Sequence, residues 1–83
     1  MDMRKLVGDN VRRIRLEKGL TQEAFSEKSG FSQQYISGLE QGRRNPTIIT
    51  LYEISVALEV DHLELLIPRS RRRQAKSRST NKS

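Results

Sequence analysis

Two adjacent glutamines, Gln33 and Gln34, have the most informative side-chain chemistry in this chain. A glutamine carboxamide can form two hydrogen bonds with an adenine edge in the DNA major groove, at N6 and at N7. Ser32 precedes the pair, and Ser37 follows one helical turn later. We expect these four polar residues to contact bases, because the first residues of a recognition helix point into the groove. The alternative is an ordinary solvent-exposed helix face, since glutamine is usually exposed.

A second group of polar residues is suited to binding phosphate. Gln22 begins a helical segment, where unpaired backbone N–H groups and the helix dipole attract an oxyanion. Arg43, Arg44 and Asn45 directly follow the segment that carries the glutamines, and we expect them to lie along a nucleic-acid backbone. An ordinary charged loop is the alternative there. Tyr35 has two interpretations: its ring packs on the helix, or its hydroxyl reaches a phosphate.

Arg15 and Glu40 carry opposite charges and fall in different parts of the sequence. Arg15 lies late in the first helical segment, and Glu40 lies late in the third. We expect a partly buried ion pair that fixes the third helix to the first. The alternative, two unrelated surface charges, would contribute little to stability.

Helices must position these residues, because apolar residues recur at helical spacing and strand-like alternation is absent. The first segment has an apolar stripe at this spacing: Leu6, Val7, Val11 and Ile14. Candidate N-cap residues begin five helical segments: Asp2, Thr21, Ser32, Thr47 and Asp61. The predicted fold class is therefore all-α, a compact five-helix bundle in residues 1–68. Gly8, inside the first segment, indicates either a close approach of another element or a loss of helix stability that the fold tolerates.

The stretch over residues 21–39 predicts two short helices joined by a sharp turn. Gly30 suits the left-handed conformation that such a turn needs, and the small Ser26 lets the helices cross closely. Ile36 and Leu39 would then hold the second helix against the first. This order of small, glycine and aliphatic residues is typical of a helix-turn-helix motif. The motif presents its second helix rigidly enough to enter a groove about 12 Å wide.

The charge of the chain is concentrated at one end. The formal net charge is +6, from 16 Lys/Arg and 10 Asp/Glu. Residues 69–83 contain seven of the cations and none of the anions, so the basic character is no argument that the folded body binds nucleic acid. Because Ala75 is the only apolar residue there, we expect a disordered basic tail. Such a tail either adds salt-dependent affinity for nucleic acid or only improves solubility.

Several classes of protein are not expected. Without cysteine the chain has no disulfide framework, thiolate zinc site or cysteine nucleophile. His62 is the sole histidine, and no carboxylate pair or glycine-rich phosphate loop is recognisable, so we expect no enzyme, cofactor, metal ion or small-molecule ligand. No apolar run approaches the ~20 residues of a membrane span, and the N-terminus lacks the apolar stretch of a signal peptide. We therefore expect no membrane partner and a cytoplasmic, nucleoid-associated location.

Three strings together resemble the Cro/repressor (XRE) helix-turn-helix family over roughly residues 6–67: IRLEKGLTQE from Ile14, SQQYISGLE from Ser32 and RNPT from Arg44. The resemblance implies a lambda-repressor-like domain that binds operator DNA as a homodimer. It also implies that glutamines at positions 22, 33 and 34 touch DNA and that a pair at positions 15 and 40 is buried. Ser26 departs from the usual alanine, and Ser29 departs from the apolar residue of some members. The strings IRLEKG and YISGLE are also similar to controller proteins of restriction–modification systems.

The resulting hypothesis is a transcriptional regulator that binds a palindromic operator in double-stranded DNA as a homodimer, with its third helix in the major groove. Two subunits would multiply the few base contacts that one helix can make. Apolar residues of the fourth and fifth helices could form the subunit interface: Tyr52, Val56, Val60, Leu63 and Ile67. The alternative is the antitoxin of a toxin–antitoxin pair, which uses the same kind of domain and needs a further surface for its toxin.

Overall fold

Four α-helices and one short 3-10 helix make up residues 1–68, the part of the chain that the computed structural model describes. They are α1 (Met3–Glu17), α2 (Gln22–Ser29), α3 (Gln33–Glu40), α4 (Ile48–Leu58) and the 3-10 helix (His62–Leu65). This part of the chain contains no strand, which confirms the all-α class. None of its helices is long and apolar enough to cross a membrane. The predicted basic tail, residues 69–83, lies outside the described residues.

The last helical segment differs from the predicted fifth α-helix. Asp61 caps it as expected, and its carboxylate accepts a hydrogen bond of 2.9 Å from the backbone N–H of Leu63. The segment nevertheless makes one 3-10 turn that ends at Leu65. Pro68 disfavours helical conformation at the residue before it, which limits the length available. The predicted five-helix bundle is therefore corrected to four α-helices and a 3-10 helix.

Each α-helix begins directly after the residue proposed from the sequence as its N-cap. The side chains of these caps each accept a hydrogen bond from a backbone N–H in the following turn: Asp2, Thr21, Ser32 and Thr47. Such a cap stabilises a helix by ~1 kcal/mol relative to alanine. The caps also decide where α2 and α3 start, and hence place Gln22 and Gln33 in first turns.

The apolar faces of the helices meet in one core. Its buried residues come from every element: Val7, Val11, Ile14, Phe25, Ile36, Leu39, Ile54, Ala57, Leu58 and Leu65. Within it α3 packs against both α1 and α2, while α4 packs against α2 and the 3-10 helix. The third helix is thus held by two neighbours, and its first turn lies at the surface.

Gly8 lies where α1 meets the end of α3. A Cβ at this position would overlap the carbonyl oxygen of Leu39 and lie 2.9 Å from that of Glu40. Only a residue without a side chain allows two backbones to approach this closely. Of the two interpretations of Gly8, the close approach is confirmed, and it sets the distance between α1 and α3.

Candidate nucleic-acid interface

The first turn of α3 presents the two glutamines to solvent. Gln33 and Gln34 are both exposed, and so is the N-cap residue Ser32. The Ser32 hydroxyl oxygen accepts a hydrogen bond of 3.0 Å from the backbone N–H of Tyr35. This bond fixes the backbone of the turn that carries the glutamines. The two carboxamides are therefore adjacent, accessible and attached to an ordered turn.

The opposite face of α3 is anchored in the core. Ile36 is 1% exposed and Leu39 is fully buried. Ser37, the fourth predicted base-contacting residue, is half-buried, and its hydroxyl oxygen accepts a hydrogen bond of 3.2 Å from the Gln41 carboxamide. The structure thus places the other three candidates together at the first turn and Ser37 one turn later, where it is less accessible.

The turn between α2 and α3 is stabilised by the two serines that depart from the family pattern. The Ser26 hydroxyl donates a hydrogen bond of 2.5 Å to the carbonyl oxygen of Phe31. The backbone N–H of Phe31 donates one of 3.2 Å to the Ser29 hydroxyl oxygen. Gly30 has a φ of 85°, the left-handed conformation that sequence analysis assigned to it. Ser26 and Ser29 therefore each supply a hydroxyl group that hydrogen-bonds to the backbone of the turn.

Arg15 and Glu40 lie together between α1 and α3. Arg15 Nε donates to Glu40 Oε2 at 2.6 Å, and its Nη2 donates to Oε1 at 3.0 Å. A third donor, Nη1, reaches the carbonyl oxygen of Leu20 at 2.7 Å. The two side chains are only 7% and 3% exposed. This paired arrangement joins the end of the third helix to the first and satisfies both buried charges.

Gln22 at the start of α2 is connected to the same ion pair. Its carboxamide Nε2 donates a hydrogen bond of 3.1 Å to Glu40 Oε1, and the residue is half-buried. A carboxamide nitrogen has two N–H groups, and the bond to Glu40 uses one of them. Gln22 is therefore held toward α3 through one of its two N–H groups.

The connection between α3 and α4 carries three exposed polar residues, Arg43, Arg44 and Asn45. The Arg44 guanidinium carbon lies 5.5 Å from the centroid of the Tyr35 ring. That ring stacks on Phe31, with centroids 5.2 Å apart and planes at 24°. Burial raises the pKa of the Tyr35 hydroxyl and Arg44 lowers it by a smaller amount, so the phenol remains protonated at neutral pH. The Tyr35 ring thus packs on the helix, and its hydroxyl is a hydrogen-bond donor.

Asn10 in α1 is only 3% exposed, and its role was not predicted from the sequence. Its Nδ2 donates to the carbonyl oxygens of Leu65 at 2.9 Å and Ile67 at 3.1 Å. Asn10 therefore fastens the C-terminal end of the domain to the first helix. The sequence did indicate its burial, because Asn10 lies three residues after Val7, on the side of the helix that carries the apolar stripe. A buried polar group of this kind requires hydrogen-bond partners.

His62, the sole histidine, is exposed at the start of the 3-10 helix. Its ring lies edge-on to Tyr52 with centroids 6.3 Å apart, and its Nδ1 is 3.6 Å from Asp61 Oδ1. Within residues 1–68, no three His, Asp or Glu side chains are grouped so that they could hold a metal ion. At the first turn of α3, the exposed Gln33 and Gln34 side chains offer hydrogen bonds, and Arg44 beside Tyr35 offers positive charge.

Two short helices joined by a sharp turn, the second anchored on one face and polar at its exposed first turn, define a helix-turn-helix domain. A family model described as "Helix-turn-helix" matches residues 11–65. The chain therefore belongs to the helix-turn-helix family of the XRE type, whose members are DNA-binding transcriptional regulators.

Proteins of similar sequence are named as transcriptional regulators or as control proteins. An uncharacterized HTH-type transcriptional regulator, y4dJ, of Sinorhizobium fredii is 68% identical over 68 residues, which cover 82% of this chain and 88% of that protein. The control protein C.SmaI of Serratia marcescens is 36% identical over 66 residues, covering 80% and 79%.

Solved structures share the fold. The hypothetical transcription factor NHTF from Neisseria is 30% identical, with a TM-score of 0.84 over 89% of this chain and 85% of its own. The restriction–modification controller protein C.Esp1396I, solved as a tetramer in complex with its natural 35 base-pair operator, is 40% identical. Its TM-score is 0.72 over 78% of this chain and 86% of its own.

Proposed function

We propose that this transcriptional regulator binds a palindromic operator in double-stranded DNA as a homodimer, with α3 of each subunit in the major groove. The exposed carboxamides of Gln33 and Gln34 would read base edges. One observation carries the proposal: both side chains stand on the capped first turn of a helix whose opposite face is buried. A helix anchored in this way enters the groove without first having to be ordered, which favours binding.

Phosphate contacts would set the orientation of α3. Gln22 lies at the start of α2, and Arg43 and Asn45 lie directly after α3, so these groups are placed at the two ends of the helix-turn-helix unit. Contacts to the DNA backbone at both ends define the register of the helix between them. Their contribution depends on salt, because each neutralised phosphate releases counterions.

The second subunit would cover an apolar face of α4 and the 3-10 helix. Tyr52, Val56 and Leu63 are 57%, 56% and 53% exposed, whereas Val60 and Ile67 are half-buried. Tyr52 and Val56 are four residues apart and thus share one side of α4. Large apolar side chains that are exposed together on one side of a helix favour a protein interface. A second copy of the chain suits it, because two-fold pairing places two recognition helices on successive turns of DNA.

The dimer is tested by introducing a charge into this face. Val56→Glu should convert a dimer, measured by analytical ultracentrifugation without DNA, into a monomer that retains its helical circular dichroism. Gln41→Glu is the matched control, because it adds the same charge at an exposed site outside α4. A wild-type chain that sediments as a monomer at micromolar concentration, or a dimeric Val56→Glu variant, would contradict this interface.

Base reading is tested by in vitro selection of bound DNA, which returns the half-site, its spacing and its symmetry. Gln33→Ala and Gln34→Ala should each lower discrimination against the wrong base by ~1–3 kcal/mol, the value of a good bidentate contact. Lys18→Ala, at the C-cap of α1, is the surface control. Survival of both affinity and sequence preference in the double glutamine variant would refute the assignment.

We also propose that residues 69–83 add sequence-independent affinity for DNA. The support is their composition, seven cations without an anion, because Lys and Arg contacts to phosphate make binding salt-dependent. Replacing the seven cations by glutamine should flatten the dependence of nonspecific binding on salt concentration. An unchanged slope would leave solubility as the role of this segment.

A further inference from the structure

Gly38, in the last turn of α3, is covered by a side chain from the loop that follows the helix. A Cβ built at Gly38 would lie 3.0 Å from Nε of Arg44, 3.4 Å from its Cγ and 3.7 Å from its Cδ. These are the three nearest atoms, and all belong to one side chain. The absence of a side chain at Gly38 therefore creates the space in which the stem of Arg44 lies across the recognition helix.

The guanidinium end of the same arginine has a second support. It lies over the ring of Tyr35 at 5.5 Å, within the range of an attractive cation–π contact. Tyr35 is in turn stacked on Phe31, and both rings pack against the core. Arg44 is thus connected to the core through two aromatic rings, although it remains exposed overall.

We infer that Gly38 and Tyr35 are positioning residues that hold Arg44 along α3, so that this cation meets DNA as part of the recognition helix. The inference rests on the proposed function. A free arginine loses conformational freedom when it is fixed on a ligand. An arginine already held along α3 has lost that freedom before binding, which raises affinity and fixes where its charge meets the duplex.

Two neighbouring arginines that look alike in the sequence are expected to behave differently. Arg43 and Arg44 are adjacent, exposed and equally charged. The contacts with Gly38 and Tyr35 are made by Arg44. Arg43 therefore serves as a matched comparison. A change at Gly38 should alter the contribution of Arg44 to operator affinity and leave the contribution of Arg43 unaltered.

The test is a double-mutant cycle on the full chain with the selected operator. Gly38→Ala should lower operator affinity on the order of tenfold, as expected for directly coupled residues. The thermal midpoint should stay the same or rise, because alanine favours a helix over glycine. In an Arg44→Ala background the same substitution should change affinity by less than about twofold. In an Arg43→Ala background, Gly38→Ala should lower operator affinity by as much as it does in the wild-type chain.

A second pair of variants examines the aromatic support. Tyr35→Phe keeps the ring under Arg44, whereas Tyr35→Leu removes it. The leucine variant should bind the operator more weakly than the phenylalanine variant, and this difference should vanish in the Arg44→Ala background.

Three results would overturn the inference. Unchanged affinity of Gly38→Ala would show that the placement of Arg44 does not matter. An equal loss in the Arg44→Ala background would show that the new methyl group acts directly on DNA or on the fold. If the wild-type chain selects no DNA sequence, the proposed function itself fails, and this inference fails with it.

Discussion

Arg15 of α1 and Glu40 of α3 form two hydrogen bonds, of 2.6 and 3.0 Å, in a nearly solvent-free position between the two helices. The carboxylate also accepts from Gln22, and the guanidinium also donates to Leu20. No buried side-chain nitrogen or oxygen of residues 1–68 lacks a partner. A buried ion pair is stable only when its remaining polar atoms are satisfied in this way.

Removing one member of the pair should therefore be costly. Glu40→Ala leaves the Arg15 charge buried without its partner, and we expect a loss of ~3–5 kcal/mol in the free energy of unfolding, measured by urea denaturation. Asp9→Asn is the control, because it breaks the 2.9 Å ion pair of Lys5 and Asp9, whose side chains are 61% and 57% exposed. That pair should contribute less than ~1 kcal/mol. Equal losses in the two variants would contradict this explanation.

A methyl group at Gly8 should destabilise the domain. Alanine in a helix interior is normally ~1 kcal/mol more favourable than glycine, but here its Cβ would overlap the backbone of Leu39 and Glu40. Backbone cannot move aside as a flexible side chain can, so we expect Gly8→Ala to lower the thermal midpoint. Gly38→Ala is the matched comparison, because it meets the side chain of Arg44. A midpoint for Gly8→Ala at or above that of wild type would be inconsistent with the close approach.

Substitutions of Asn10 should release the C-terminal end of the domain. Asn10→Ala leaves the carbonyl oxygens of Leu65 and Ile67 without their donor, at an expected cost of ~1–3 kcal/mol. Asn10→Asp should also destabilise the domain at pH 7, because an ionised carboxylate can only accept hydrogen bonds and would face two carbonyl oxygens. The Arg13 guanidinium, whose Nη2 lies 3.1 Å from Asn10 Oδ1, offsets part of this repulsion. The penalty of Asn10→Asp relative to wild type should shrink as the pH falls and the carboxyl gains a proton that it can donate. A penalty that grows toward acid pH would count against this role.

The free energy of unfolding should depend on pH through Glu59. A hydrogen bond from Lys28, at 2.7 Å, together with the charges of Lys28 and Lys18, lowers the pKa of this carboxyl. Because the folded-state pKa lies below the unfolded-state pKa, the stabilisation is complete above the unfolded-state value and is lost as the pH falls through the folded-state value. Glu59→Gln should flatten the acid side of the stability profile. The effect is small, because the pair is exposed.

Arg43 provides a test of phosphate contact that is independent of base reading. Arg43→Ala should weaken binding to specific and nonspecific DNA alike and reduce the slope of log affinity against log salt by ~0.9 for each lost phosphate contact. Lys18→Ala removes an equal charge close to Glu59, at the far end of α4 from the Arg43 loop, and should leave the slope unchanged. An unaltered slope for Arg43→Ala would remove this residue from the interface.

Local chemistry made much of the fold predictable. Each α-helix begins directly after the predicted cap, because a cap needs only its own side chain and the next turn of backbone. The exposure of Gln33 and the burial of Ile36 follow from helical spacing in the same way. The 3-10 turn was not predicted, because a capping residue indicates where a helix starts and does not decide its length or its type.

The sequence by itself determined the all-α fold class, the turn at Gly30 and the pair of glutamines, since each depends on residues within a few positions of one another. Tertiary structure alone decided that Asn10 would bind the carbonyl oxygens of Leu65 and Ile67 and that the stem of Arg44 would lie against Gly38. It also placed Glu59 in the left-handed conformation, with a φ of 61°, beside Lys28. These relationships depend on the spatial approach of separate elements, and residue type and spacing along the chain do not specify how packed helices meet.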